Sequence, residues 1–234
     1  MAATAALLGA ITLAAPVPAQ AAETAAPRPG PACPASSTDI DPLTPEQKLQ
    51  WRGRSVKLRA CLVGGDGRQE DLLVLEAQAE GQPLVRTQLP ARQELEGTLD
   101  GMRFDDVRFV LSDGDKNGLT VALRLSTRNR GAIIDDSFVY LWLYQFDGQQ
   151  LRRVFDMAAD QISAPRGCDG ACDLPSRSQA VLLIQPGAGH HGLRDLRQRQ
   201  KTWTVGPGGK PVGGAPRWND QLYVFDGVKY QAKN

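Results

Sequence analysis

Apolar and polar residues alternate along much of this chain with the two-residue period of a strand that buries one face. Leu119, Val121, Leu123 and Leu125 alternate with Thr120, Ala122 and Arg124, and Val107, Phe109 and Leu111 alternate with polar or smaller neighbours. Both stretches read as half-buried strands. Between them Ser112-Asp113-Gly114-Asp115-Lys116-Asn117-Gly118 is a turn-rich connector. Phe138 to Tyr144 is apolar without interruption, as expected of a central strand covered on both faces, and Ala180 to Ile184 reads likewise.

Two segments repeat one pattern. Leu143-Tyr144-Gln145-Phe146-Asp147-Gly148 is followed by Leu151, and Leu222-Tyr223-Val224-Phe225-Asp226-Gly227 by Tyr230. Each reads as a strand entering an Asp-Gly turn, the dipeptide favoured in type I′ hairpins because both central residues need positive φ. Leu99-Asp100-Gly101, followed by Phe104, is a shorter third match. The spacings, 47 and 79 residues, are unequal and so define no strict repeat. One helix is expected near the start of the domain. Thr44-Pro45-Glu46-Gln47 places a cap residue, proline at the first helical position and glutamine at the third, with Gly53 as the stop. All seven glutamates fall at or before Glu96, and every later acid is aspartate, which prefers turns and caps. The expected fold is mainly β: antiparallel hairpins forming a sandwich, barrel or small propeller, with one short N-terminal helix.

The first residues change the picture by compartment. Residues 2 to 15 are apolar or small and uncharged, and Ala19-Gln20-Ala21 offers the small-x-small pattern of a signal-peptidase site, although no basic n-region precedes it. About 14 apolar residues are too few to anchor in a bilayer, which needs about 20. The expectation is a signal peptide over 1–21, a flexible Pro/Ala-rich leader over 22–38, a single β-rich domain over 39–234, no transmembrane anchor, and a periplasmic or secreted protein. The four cysteines, Cys33, Cys61, Cys168 and Cys172, are an even number in an exported chain and read as two disulfides with three possible connectivities. Cys168 and Cys172 can close a small loop, which leaves Cys33 to meet Cys61. The C-x27-C and C-x3-C spacings do not match paired zinc knuckles. A net charge of +1, from 27 basic and 26 acidic residues, gives no broad field to attract nucleic acid.

Candidate chemistry is sparse. Asp113-x-Asp115-x-Asn117-Gly118 sets oxygen ligands at alternate positions of a tight loop, which suits calcium. An EF-hand is excluded, because its twelfth position is Arg124 and strands flank it. His190 and His191 are the only histidines and lie in a glycine-rich segment. Neighbours on a strand face opposite ways, so the pair is read as an exposed binding-loop candidate rather than a metal site. One of them could act as a base with Asp195, but no G-x-S-x-G elbow accompanies it. Arg194, Arg197, Arg199 and Lys201 beside Trp203 form a local basic cluster, read as a solvated face. Asp135 and Asp136 supply the two acids a glycosidase needs. Trp142, Trp203 or Trp218 could stack on sugar, and no phosphate loop is present.

From Val107 to Val154 the order of elements resembles small exported bacterial β-propeller-like proteins with FG-GAP type loops. The matching residues are Asp113, Asp115, Asn117 and Gly118, then Tyr140, Trp142, Leu143 and Gly148. That resemblance implies a calcium loop, although Val121 stands where those loops add an aspartate, so Asp105 or Asp106 would have to supply it. Some members of the group block lysozyme-like enzymes, which implies a protein partner such as a peptidoglycan hydrolase. The functional expectation is therefore an exported, non-catalytic binding protein, most concretely an inhibitor or immunity protein. The alternatives are a secreted hydrolase of glycans or esters and a carbohydrate-binding or structural envelope module.

Overall fold

A computed structural model describes residues 32–34, 43–64, 71–131, 134–165, 174–206 and 209–233. The expected signal peptide, nearly all of the leader, and Cys168 and Cys172 lie outside the described residues. The architecture is mainly antiparallel β in two sheets with no closed barrel, as the alternation predicts.

The first sheet is a four-stranded meander in the order of the chain: β1 (Glu46–Trp51), β2 (Arg54–Val63), β3 (Leu72–Ala79) and β4 (Val85–Pro90). The expected N-terminal helix is therefore a strand. Gln47, Leu49 and Trp51 turn inward and alternate with exposed Glu46, Lys48 and Gln50. Arg52 and Gly53 both take positive φ, 50° and 74°, so the two-residue hairpin closes here, pairing Trp51 with Arg54. Six residues gain little as an isolated helix, and the ladder to β2 satisfies the same backbone groups while burying Trp51. The one α-helix among the described residues is the single turn α1 (Ala91–Glu94) after β4.

The second sheet has eight strands, again in chain order: β5 (Thr98–Phe104), β6 (Leu119–Arg130), β7 (Ile134–Phe146), β8 (Leu151–Pro165), β9 (Ser176–Ile184), β10 (Leu196–Val205), β11 (Pro211–Phe225) and β12 (Tyr230–Ala232). It is two meanders of four strands joined by only four residue pairs, Asp160–Ser163 against Ser176–Gln179. The middle meander is covered on both faces. On β7, Trp142, Tyr144 and Phe146 pack with β1–β4, while Leu141 and Leu143 face Phe155, Leu196, Phe225 and Tyr230. Thus β7 is the doubly covered central strand its apolar run predicts. On β6 the second face is also closed, with Thr120 and Ala122 buried.

Three other expectations are corrected. Val107 to Leu111 is not a strand: Val107 is exposed, and the connection carries Phe109 and Leu111 onto the opposite face of the sheet from Phe104. Leu99–Gly101 is no hairpin turn but a bulge inside β5, where the register shifts against β6. Ala180 to Ile184 is covered on one face only, because Val181 and Leu183 are exposed.

The repeated Phe-Asp-Gly turns are both hairpins and occupy equivalent positions, from third to fourth strand of the second and third meanders. They are four-residue turns rather than type I′: only the glycine has positive φ, and the aspartate caps the loop. Asp147 Oδ1 accepts from the N–H of Gln149 and Gln150, and Asp226 Oδ1 from that of Val228 and Lys229. Cys33 and Cys61 form the expected disulfide, buried against Val74.

Candidate functional site

In an antiparallel meander alternate connections lie at one end. The connections 105–118, 147–150, 185–195 and 226–229 therefore share an end of the eight-stranded sheet, and two of them are long. Loop 105–118 winds through a single 3-10 turn at Asp113–Asp115, with Gly114 and Asp115 at positive φ. Ser112 Oγ accepts the Asn117 N–H, and the buried Gln145 side chain donates to the Asn117 carbonyl at 3.2 Å. Trp51 Nε1 and Arg52 reach the carbonyls of Asp115 and Lys116, so the hairpin of β1 and β2 braces the same loop.

Loop 185–195 ends in a two-residue turn. His190 and Leu193 exchange both backbone hydrogen bonds, at 2.9 and 3.0 Å, with His191 and Gly192 at positive φ. Gly189 admits no side chain, since a Cβ there would lie 2.1 Å from the Leu193 carbonyl oxygen.

The two loops interlock. Arg194 Nη2 donates to Asp113 Oδ1 at 2.6 Å, Asn117 Nδ2 donates to the Gly192 carbonyl at 2.7 Å, and the Arg194 N–H donates to the Leu111 carbonyl at 2.7 Å. Tyr230 Oη then donates to the Arg194 carbonyl at 2.6 Å, which ties in β12; burial pushes this phenol well above its ordinary pKa.

The three expected calcium ligands thus have other uses. Asp113 faces Arg194, Asp115 faces Arg108, and the Asn117 amide is turned to Gly192. Asp115 Oδ1 is buried without a hydrogen-bond partner among the described residues. Of the acids that could complete a ligand set, Asp105 is engaged by Arg124 Nε at 2.7 Å, and Asp106 lies 3.8 Å from Arg103. Among the described residues no three histidine, cysteine or acidic side chains gather in a way that could hold a metal ion.

His190 Nδ1 lies 2.7 Å from Asp195 Oδ1, an imidazole oriented by a carboxylate with half of its side chain in solvent. No serine, threonine or cysteine side chain of the described residues hydrogen-bonds to that ring. His191 sits beside Gly227 of the last hairpin, 3.8 Å from where a Cβ would stand. Residues 186–192 are exposed throughout. Chemically, this end of the molecule offers a fixed, mixed-charge surface with an oriented histidine.

The other candidates disperse. Arg197 and Arg199 share the single carboxylate of Asp220 on the neighbouring strand and Lys201 lies over the Trp203 ring, so the run is offset only in part and stays a net positive strand face. Asp135 and Asp136 point to opposite faces of β7 and cannot flank one glycosidic bond. Trp142 is core, Trp203 is buried, and Trp218 alone of the three is exposed. Sequence reasoning missed Arg108 and Gln145 altogether and grouped Arg194 with the wrong partners. The only available signal was that a loop with two aspartates needs cations from somewhere in the chain.

No protein-family model, curated protein or solved structure matches the chain. The class defined by fold and site is an all-antiparallel protein of stacked four-stranded meanders that presents interlocked loops at one end.

Proposed function

We propose that this is an exported, non-catalytic binding protein whose partner is another protein, and most concretely an inhibitor or immunity protein against a peptidoglycan hydrolase. The observation that carries the reading is the interlock of loops 105–118 and 185–195 through Arg194–Asp113 and Asn117–Gly192. A loop surface tied down before binding loses little conformational freedom when a partner docks, which favours the tight binding that stoichiometric inhibition needs. Two further features support it. A buried disulfide fits an oxidising compartment, and no helix of the described residues is long and apolar enough to cross a membrane.

The test is a turbidity assay in which the protein is added in excess to a panel of muramidases and amidases. Near-stoichiometric inhibition of one enzyme is expected, weakened at least about tenfold by His190→Ala, His191→Ala or Asp113→Ala if the loop end is the contact. Unhindered lysis by every enzyme would sink the inhibitor reading.

The His190–Asp195 pair favours a second reading, a secreted hydrolase of glycans or esters. Turnover of a chromogenic ester or glycan by wild type, lost in His190→Ala, would establish it in place of the first.

A further inference from the structure

The third meander turns one of its faces to solvent. Leu182 of β9, Leu196 of β10 and Tyr223 of β11 pack in the core, so the alternation of each strand sends the intervening side chains outward. The ladders are regular from Leu196 to Thr202, and residues directly opposite each other share a face. On that outer face Arg197 therefore stands between Leu183 and Leu222, Arg199 between Val181 and Asp220, and Lys201 opposite Trp218.

The middle strand thus carries a straight row of three cations, about 7 Å from one to the next. Arg197 and Arg199 share the one carboxylate of Asp220, at 2.7 and 3.3 Å, and about half of each side chain stays in solvent. Lys201 lies over the Trp203 ring and has no carboxylate within 4 Å among the described residues. Further along the same face Arg177 is matched by Asp160 and adds no charge. The row therefore keeps a surplus of two positive charges, three cations against Asp220. Apolar groups flank it on both sides. Val181 and Leu183 are exposed on β9, and Trp218 on β11, 62% exposed, is the only exposed aromatic residue among the described ones. Arg199 lies over its ring at 5.5 Å, which helps to fix the indole in place.

This arrangement discriminates among occupants. A second copy laid face to face would set one cation row against another, and like-charge contacts are costly at an interface. A bilayer takes up an element whose apolar side is continuous and whose cations lie on the polar side. Here the cations run between the two apolar strips, and Asp220 would meet the anionic headgroups. An acidic glycan would match the row but leave Val181 and Leu183 in water. The surface of a folded protein can meet both features, with carboxylates for the guanidiniums and apolar side chains between them. Arginine and tryptophan are also the residues that protein interfaces favour, and exposed apolar groups among polar ones mark such surfaces.

We infer that the outer face of β9–β11 docks an acidic surface of another protein, whose carboxylates meet Arg197 and Arg199 and whose apolar side chain packs on Trp218. The role of this face is independent of the hydrolase reading.

The experiment puts the photo-cross-linking residue p-benzoylphenylalanine in place of Val181 in the full chain and, in a second preparation, in place of Val228 at the loop end, with both irradiated in the cells that make the protein. A discrete cross-linked protein is expected from position 181, attached beside acidic residues of the partner. Arg197→Glu together with Arg199→Glu should reduce that product about tenfold, and so should Trp218→Ala. Changing the mapped acids of the partner to lysine should restore the product in the charge-reversed chain, which also shows that this chain is folded. No product from position 181, a product from position 228 alone, attachment only to a second copy, to lipid or to glycan, or a product that survives the charge reversal would each overturn the proposal.

Discussion

Arg194 and Asp113 meet at 2.6 Å across 81 residues of sequence, and this contact joins the first long loop of the second meander to the corresponding loop of the third. Asp113 is mostly exposed, so the ion pair itself is worth little; exposed pairs typically contribute under about 1 kcal/mol. Its role is to limit motion. Arg194→Ala is expected to change the unfolding free energy by less than about 1 kcal/mol. It should also speed amide exchange of 112–118 and 187–193 relative to the strands. Unchanged exchange in both loops would mean that the backbone contacts alone hold them.

The turn at His190–Leu193 depends on a glycine that has no room for a side chain. Gly187 and Gly189 both have positive φ, but a Cβ at Gly187 meets nothing within 4 Å, whereas one at Gly189 strikes the Leu193 carbonyl. Gly187→Ala should cost roughly 1 kcal/mol from backbone strain alone. Gly189→Ala should cost clearly more, because backbone must move. Chemical denaturation of the two variants side by side measures the difference, and equal costs would contradict the crowding argument.

Asp226 gives a pH signature. The backbone N–H of Lys229, the Gln231 amide and the Val228 N–H hold its carboxylate down to about 2. Its folded pKa lies below the unfolded one, so its contribution is present above about pH 4 and is lost as pH falls towards 2. Melting midpoints measured from pH 5 to pH 2 should fall more steeply for wild type than for Asp226→Asn, which keeps an acceptor oxygen but does not titrate. Parallel curves would place the acid sensitivity elsewhere.

The Cys33–Cys61 disulfide closes a separation of 28 residues, which in the chain-entropy model is worth about 3 to 4 kcal/mol. Reductant should lower the melting midpoint of wild type by clearly more than that of a Cys33→Ala, Cys61→Ala double variant, which retains only Cys168 and Cys172. Beside it, Glu76 is buried between Arg59 and Arg86 and accepts the Cys33 N–H. Glu76→Gln removes the carboxylate that Arg86 holds at 2.7 Å, while Arg59 keeps Glu46 at 2.7 Å, and a loss of about 2 kcal/mol is expected.

Calcium is the remaining question at Asp113–Asn117. With Arg194 and Arg108 on the two carboxylates, the loop is neutralised from within the chain. The expected result is the same melting midpoint in millimolar calcium and in chelator. A specific ion that binds only the folded state must raise that midpoint. A rise of several degrees in wild type that is lost in Asp115→Asn would show that calcium binds at this loop, where Asp115 Oδ1 has no hydrogen-bond partner among the described residues.

What the sequence determined by itself is local and periodic. The two-residue alternation of Leu119 to Leu125, the unbroken apolar run at Phe138–Tyr144 and the paired Phe-Asp-Gly turns are set by neighbours in the chain, so the strands and two of the hairpins were legible. The even cysteine count suggested disulfides but left three connectivities open, and it is the fold that brings Cys33 to Cys61. Where a local signal met a tertiary one, the tertiary one won. The cap pattern at Thr44–Gln47 yielded to the ladder between β1 and β2, because six residues bury more as a strand under Trp51 than as a lone helix. Alternation at Val107–Leu111 was real, but Phe109 and Leu111 use it to cover the back of the middle meander rather than to pair.

Only the tertiary structure decided the rest. Arg108, Arg194 and Gln145 lie outside the Asp113–Asn117 motif, and nothing in their spacing marks them as its partners. The second and third meanders join over only four residue pairs, between β8 and β9, and no pattern within either strand marks where that pairing stops. Charge compensation between distant loops and the narrow join between two meanders are relations between positions far apart in the chain. They arise when the meanders stack, and no local pattern of residue types encodes them.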